Sequence, residues 1–286
     1  MEIITLRNGV DMPKLGYGVF QIAKDDTACC VADAIETGYR HIDTAQSYFN
    51  ESEVGDGIKA SGIDRKELFV TTKVWLEHYG YEQTLKSVEV SLRKLKTDYI
   101  DLLLLHQPFS DVYGSWHALE KLYKDGVVRA IGVRNFFPYR LADLIAFNEI
   151  APMVNQIETN PFNQQVDAHA YMVEHGVVQE AWAPFGEGKS GMFTNPTLVA
   201  IGERHGKSPA QVILRWLMQR DIVALPKSTH KERMAQNIDI FDFTLTDDDM
   251  ASIAALDTRT SLFFDHATPA AVERMATLVK ERAGRE

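Results

Sequence analysis

Four side chains could act together on a carbonyl group: Asp43, Tyr48, Lys73 and His106. Asp43, Lys73 and His106 stand at the ends of short apolar runs, and Tyr48 follows Asp43 by five residues. Reducing a carbonyl requires a hydride at carbon and a proton at oxygen. A phenol, with its ordinary pKa of about 10, is a slow proton donor near neutrality. An ammonium beside it favours the phenolate and eases the transfer. A carboxylate next to the ammonium would hold and orient it, and a histidine could hydrogen-bond the carbonyl oxygen as charge builds there. Plainer readings stand beside this one. Lys73 and Asp43 could form a structural ion pair, Tyr48 could be a surface residue, and His106 could be a strand-end histidine satisfied by its neighbours. His41 and Asp43 share a strand face and could begin a metal site. A catalytic zinc takes three protein ligands, however, and the pattern offers no further set, so His41 is expected to pack inside the fold and no metal is expected.

A second cluster lies in LPKSTHKERMAQN (225–237), where Lys227, Ser228, Thr229 and Arg233 surround an expected helix start. Free N–H groups and the helix dipole attract phosphate there, and a guanidinium can hold a phosphate through two parallel hydrogen bonds. The alternative is a solvated basic helix start. The chain has no P-loop and no GxSxG elbow, and a nucleotide would have to bind without a Rossmann unit.

The elements that must position these residues alternate. Short apolar runs occur at 15–20, 41–43, 68–74, 99–106, 127–133, 153–158, 177–185 and 222–226. They are β-branched or leucine-rich, and several are apolar without alternation, as in strands buried on both faces. Between them lie helical patterns. Leu85, Val88, Leu92 and Leu95 line one helix face. Ser208-Pro209 reads as an N-cap followed by proline at the first helical position, and Thr246 and Asp249 have capping-box spacing. Val272, Met275 and Val279 mark a last helix. Eight strands alternating with helices predict a (β/α)8 TIM barrel, whose active site lies at the C-terminal ends of the strands. Asn8-Gly9, between two short apolar segments, predicts an N-terminal β-hairpin capping the barrel bottom. With no linker or repeat in view, residues 1–286 read as a single domain.

The totals narrow the classes. The chain has 286 residues, 45% of them hydrophobic, and a formal net charge of −10. An acidic balance argues against nucleic acid or an anionic membrane surface. The start lacks a signal-peptide pattern, and no apolar run reaches the length of a membrane span. The two cysteines are the adjacent Cys29 and Cys30, which suits a reducing, cytoplasmic compartment.

GYRHIDTAQSYFNE (38–51) resembles the signature of the aldo-keto reductases. DYIDLLLLHQP (98–108), AIGVRNF (130–136), VNQIETNPF (154–162), AWAPF (181–185) and the 225–237 segment resemble further family segments, in the family's order. The subgroup looks like the prokaryotic-type reductases of diketo sugar acids and dicarbonyls. The resemblance implies an NADPH-dependent reduction of aldehydes, ketones or dicarbonyls, by a monomer or weak dimer whose partner is a small carbonyl substrate. It implies Tyr48 as general acid, assisted by Lys73 and Asp43, with His106 orienting the carbonyl. Asn135 and Gln156 match positions that hydrogen-bond the nicotinamide carboxamide, and Trp182 matches the aromatic position that stacks on the ring. Lys227, Ser228, Thr229 and Arg233 match the pocket for the 2′-phosphate of NADP(H), and Gln236 and Asn237 match adenine contacts. Phe20, Trp75 and Trp182 are expected to wall the substrate pocket, with 261–269 shaping one side.

The chain departs from the family pattern in three places. Arg134 stands where serine is usual, which puts one carboxamide contact in question. Gln236 stands where glutamate is common. The segment 186–196 is short, which predicts fast cofactor exchange. Two other classes compete with a reductase: a nicotinamide-binding sensor and an unrelated metal-dependent barrel hydrolase. Site residues, not fold, must decide among them.

Overall fold

The computed structural model describes residues 1–282, so the last four positions of the 1–286 span lie outside the described residues. The chain opens with the expected hairpin, β1 (Ile3–Thr5) against β2 (Asp11–Pro13), antiparallel. Gly9 takes φ 85°, the left-handed backbone that such a turn needs.

All eight apolar runs become parallel strands of one sheet: β3 (Tyr17–Gly18), β4 (His41–Asp43), β5 (Phe69–Val74), β6 (Ile100–Leu105), β7 (Val128–Arg134), β8 (Val154–Glu158), β9 (Val178–Trp182) and β10 (Val223–Ala224). Strand order follows chain order, as right-handed crossovers dictate. The sheet closes on itself through a parallel bridge between Leu15 and Ala224, with Gly16 N donating to Ala224 O at 2.9 Å. A Cβ on Gly16 would lie 2.7 Å from the His41 ring and 2.6 Å from Leu225, so closure depends on a residue without one. The hairpin sits at the N-terminal ends of the strands. There Lys14 reaches Met218 O and Asp221, Arg7 reaches His175 O, and Asn8 reaches Arg129 O.

The surrounding helices are α1 (Lys24–Thr37), α2 (Glu51–Ser61), α3 (Tyr81–Leu95), α4 (Val112–Lys124), α5 (Pro138–Phe147), α6 (Val166–Glu174), α7 (Pro196–His205), α8 (Pro209–Gln219), α9 (Lys231–Ile238), α10 (Asp247–Ala254) and α11 (Pro269–Arg282). Both expected caps are present. Ser208 and Gln211 form a capping box at α8, and Thr246 and Asp249 form one at α10. The apolar face of α3 packs inward through buried Val88 and Leu95. In α11, Met275 is buried and Val279 half-buried, whereas Val272 is 45% exposed, so the inward face is narrower than the sequence pattern suggests. Among the described residues no helix is long and apolar enough to cross a membrane.

Candidate active site

The strands carry the site's polar residues on their inward faces. Asp43 closes β4 and Lys73 lies near the end of β5, both buried. Lys73 Nζ donates to Asp43 Oδ1 at 2.6 Å and Oδ2 at 2.7 Å, and to Thr44 O at 2.7 Å. It lies 3.5 Å from the Tyr48 hydroxyl. Tyr48 ends a single 3-10 turn, Gln46–Tyr48. That turn is pinned from three sides. Gln46 accepts from Trp75 N at 2.9 Å and donates to Ser91 at 3.1 Å, and the Asn50 amide ties Val19 O to the Thr44 hydroxyl.

His106, just past β6, is buried beside Tyr48 and Trp75, edge-on to both rings at 5.7 and 5.1 Å. Its Nδ1 lies 3.4 Å from the Ser47 hydroxyl. Burial, then the charges of Arg134 and Lys73, hold its pKa well below the ordinary histidine value. The ring is therefore neutral at neutral pH.

A second polar row crosses three strands. The register sets Arg134 of β7 opposite Gln156 of β8, and Gln156 opposite Glu180 of β9. Gln156 Oε1 accepts from Arg134 Nε at 2.9 Å, while its Nε2 donates to Glu180 Oε2 at 2.7 Å and Asp43 Oδ2 at 3.0 Å. Burial, reinforced by Asp43, raises the Glu180 carboxyl to about 8, so it holds its proton near neutrality. Glu180 Oε1 lies 3.6 Å from His41 Nε2, and His41 also meets the Thr71 hydroxyl at 3.0 Å. His41 is packed inside the barrel as expected, its pKa lowered by burial to about 4. Two residues above Glu180 on the same strand face, Trp182 carries the row to the mouth. The Arg134 guanidinium lies 4.6 Å from the centre of its indole ring.

Several of these residues line one cavity of about 1010 Å³ at the C-terminal ends of the strands. Asp43, Tyr48, Trp75, His106, Gln156 and Trp182 form its inner part, with Phe20 at the rim. The Phe20 ring is 4.9 Å from that of Tyr48. The far end carries Lys227, Ser228, Thr229, Arg233, Gln236 and Asn237. Lys227, Thr229, Arg233 and Gln236 are exposed, and Ser228 and Asn237 are buried. The Ser228 hydroxyl accepts from His230 N at 3.0 Å, shaping the turn into α9. Lys73 lies beneath the cavity floor rather than on it. Asn135 lines a smaller neighbouring cavity of about 450 Å³, and its side chain accepts from Trp182 Nε1 at 2.8 Å. Its backbone at φ 60° is left-handed, which asparagine tolerates better than most residues.

Sequence reasoning missed Glu180, and of the outer wall it missed Arg274 and Arg282. A glutamate inside an apolar strand run was a readable signal, because such a charge must be paired or neutralised. The outer wall comes from Phe263, Phe264 and His266, within the expected tail segment, and from Arg274 and Arg282 of α11. The segment 186–196 reaches the same wall, where Lys189 lies 4.1 Å above the Phe263 ring. Among the described residues no three His, Cys, Asp or Glu side chains are grouped to hold a metal.

The model of the aldo/keto reductase family matches residues 14–258. A glyoxal reductase of Bacillus subtilis is 49% identical over 257 residues, spanning 89% of this chain and 92% of that protein. A morphine 6-dehydrogenase of Pseudomonas putida is 48% identical over 270 residues, 90% of this chain and 91% of its own length. An aldo-keto reductase of Bombyx mori, solved in complex with NADP, superposes with a TM-score of 0.88 at 36% identity, covering 92% of this chain and 95% of that one. With its closed eight-stranded barrel and its match over most of the sequence, this chain belongs to the aldo/keto reductase family of oxidoreductases.

Proposed function

We propose that the chain reduces small aldehydes, ketones or dicarbonyls to alcohols with NADPH, Tyr48 giving the proton. The observation that carries this reading is the convergence of the Tyr48 hydroxyl, the neutral His106 ring and the Lys73–Asp43 pair on the inner part of one cavity. NADPH, when bound, supplies the hydride. The residues present suit it. Trp182 offers an aromatic face at the inner part, and Lys227 and Arg233 offer exposed cations at the far end, where the 2′-phosphate would lie. Gln156 and Asn135 are read as carboxamide partners, the first from the cavity floor and the second from behind the indole. Gln236 and Asn237 are read as adenine partners, and Ser228 and Thr229 as phosphate partners beside Lys227.

Each protein group has a stated task. The substrate oxygen lies between Tyr48 and His106. With Ser47 read as the donor to Nδ1 across 3.4 Å, the neutral His106 would keep its proton on Nε2 and donate it as a hydrogen bond to that oxygen. Tyr48 transfers its proton to the same oxygen. The Lys73 ammonium, held by Asp43, faces the phenolate left behind. Phe20 and Trp75 pack against the apolar part of the substrate, so discrimination by size is weak.

The reading extends to residues 1–286 as a single barrel domain, working in the cytoplasm as a monomer or weak dimer on free small molecules. The free state of Cys29 and Cys30 agrees with a reducing compartment. The test is loss of reduced-nicotinamide absorbance with a panel of aldehydes, dicarbonyls and keto sugars, run with NADPH and with NADH. Carbonyl-dependent oxidation of NADPH with a clear preference over NADH is expected. NADPH binding without turnover on any carbonyl would contradict the reading.

A further inference from the structure

We propose that Arg134 sets the redox preference of the nicotinamide subsite: its guanidinium, fixed beside the Trp182 indole, disfavours the cationic oxidised ring relative to the neutral reduced one. The inference rests on the reading that the nicotinamide stacks on Trp182.

The geometry supplies an unbalanced charge at that place. Arg134 Cζ lies 4.6 Å from the centre of the Trp182 ring, and Arg134 lines the main cavity. Its anchor is Gln156, a neutral amide. Among the described residues Arg134 forms no ion pair, and a guanidinium cannot lose its proton in a protein. The other ionisable groups around the subsite do not offset it. Lys73 and Asp43 neutralise each other in direct contact. His106 and His266 are held neutral by burial first and by Arg134 among the nearby charges. Glu180, the carboxyl nearest to the row, is bonded to Gln156 and keeps its proton near neutrality. Arg282 adds a second positive charge at the mouth, its guanidinium 5.9 Å from the Trp75 ring. Glu158 stands opposite Trp182 on the neighbouring strand but lines the smaller cavity, bonded to Asn160, Ser261 and Leu262, so the charge that Arg134 places on the main-cavity side of the ring has no ion-pair partner among the described residues.

The oxidised cofactor differs from the reduced one by the loss of a hydride, which leaves a positive charge on the ring. A cation a few ångströms away in a partly enclosed cavity separates the two forms in energy, because Coulomb interaction there is only partly screened. The chain would bind NADPH more tightly than NADP+. Oxidised cofactor would then leave readily after each reduction, while the reverse oxidation of alcohols would need more NADP+ to fill the site. Each tenfold ratio of dissociation constants raises the bound two-electron couple by about 30 mV.

The test uses the purified full chain and titrates NADPH, NADP+ and 2′,5′-ADP by tryptophan fluorescence. R134Q and R134M remove the charge, and R134K keeps it. The 2′,5′-ADP affinity reports the phosphate end and exposes a folding defect in any one variant. The ratio of the NADP+ to the NADPH dissociation constant is expected to fall about tenfold in R134Q and R134M, mainly through tighter NADP+, and to stay within about twofold in R134K. A ratio unchanged by R134Q and R134M, including the case in which both cofactor forms tighten equally because the side chain merely blocked the ring, would overturn the inference while leaving the cofactor reading in place. If the unaltered chain binds neither NADPH nor 2′,5′-ADP, the cofactor reading falls and the inference falls with it.

Discussion

The Lys73 ammonium lies 3.5 Å from the Tyr48 hydroxyl, and its three N–H groups face both oxygens of Asp43 and Thr44 O. The lysine is thus oriented by groups that do not move with the substrate, and its charge is held close to the phenol. The pair is buried at the base of the cavity, where water screens it little.

Replacing Lys73 by Met keeps the bulk of the stem and removes the charge. Turnover in K73M is expected to fall by about 10²- to 10⁴-fold, while the NADPH dissociation constant changes little. The variant should also melt at lower temperature, because Asp43 is left buried without its cation. Steady-state kinetics and a thermal melt check both. Near-normal turnover in a folded K73M would reduce the lysine to a structural partner of Asp43.

At the far end of the cavity the expected effect is on selectivity. Arg233→Ala removes a charged donor from the region assigned to the 2′-phosphate. NADPH affinity should drop about tenfold or more, and NADH affinity should hardly change. Isothermal titration with both cofactors makes the comparison, and an equal loss for both would place the 2′-phosphate elsewhere.

Glu180 gives a pH-dependent stability. Its carboxyl holds a proton up to about 8 in the fold, against an ordinary value of 4.5. Between those values the folded chain binds more protons than the unfolded one, so stability is full below the lower value and is lost as pH rises through the upper. Glu180→Gln keeps an acceptor for Gln156 and removes the titration. E180Q should melt about 5 °C above the unaltered chain near pH 8, and the two should converge toward pH 4.5. Parallel melting curves across that range would show that the carboxyl is ionised in the fold.

The barrel was legible because its strands are buried on both faces. Leu102, Leu103, Leu104 and Leu105, all fully buried, are a run that no amphipathic helix would show. The hairpin, the Ser208 N-cap and the Thr246–Asp249 capping box were legible from local rules that need only neighbouring residues. Asp43, Lys73 and His106 stood out because polar residues ending apolar strands have few other places to face. The Arg134–Gln156–Glu180 row was not legible, since it depends on the register of strands joined by long crossovers. Residues 22 and 24 positions apart meet there only once the sheet is closed. The engagement of Asn135 with Trp182 was hidden for the same reason, as was the approach of Arg282 at the end of α11 to the Trp75 ring.

The central claim is that Tyr48 delivers the proton. Tyr48→Phe removes one oxygen and leaves the ring in place against Phe20 and His106. Single-turnover reduction of a small aldehyde should therefore slow by at least about 10²-fold in Y48F, with NADPH bound as tightly as before. A single-turnover rate within a few-fold of the unaltered chain would contradict the account and assign the proton to another group.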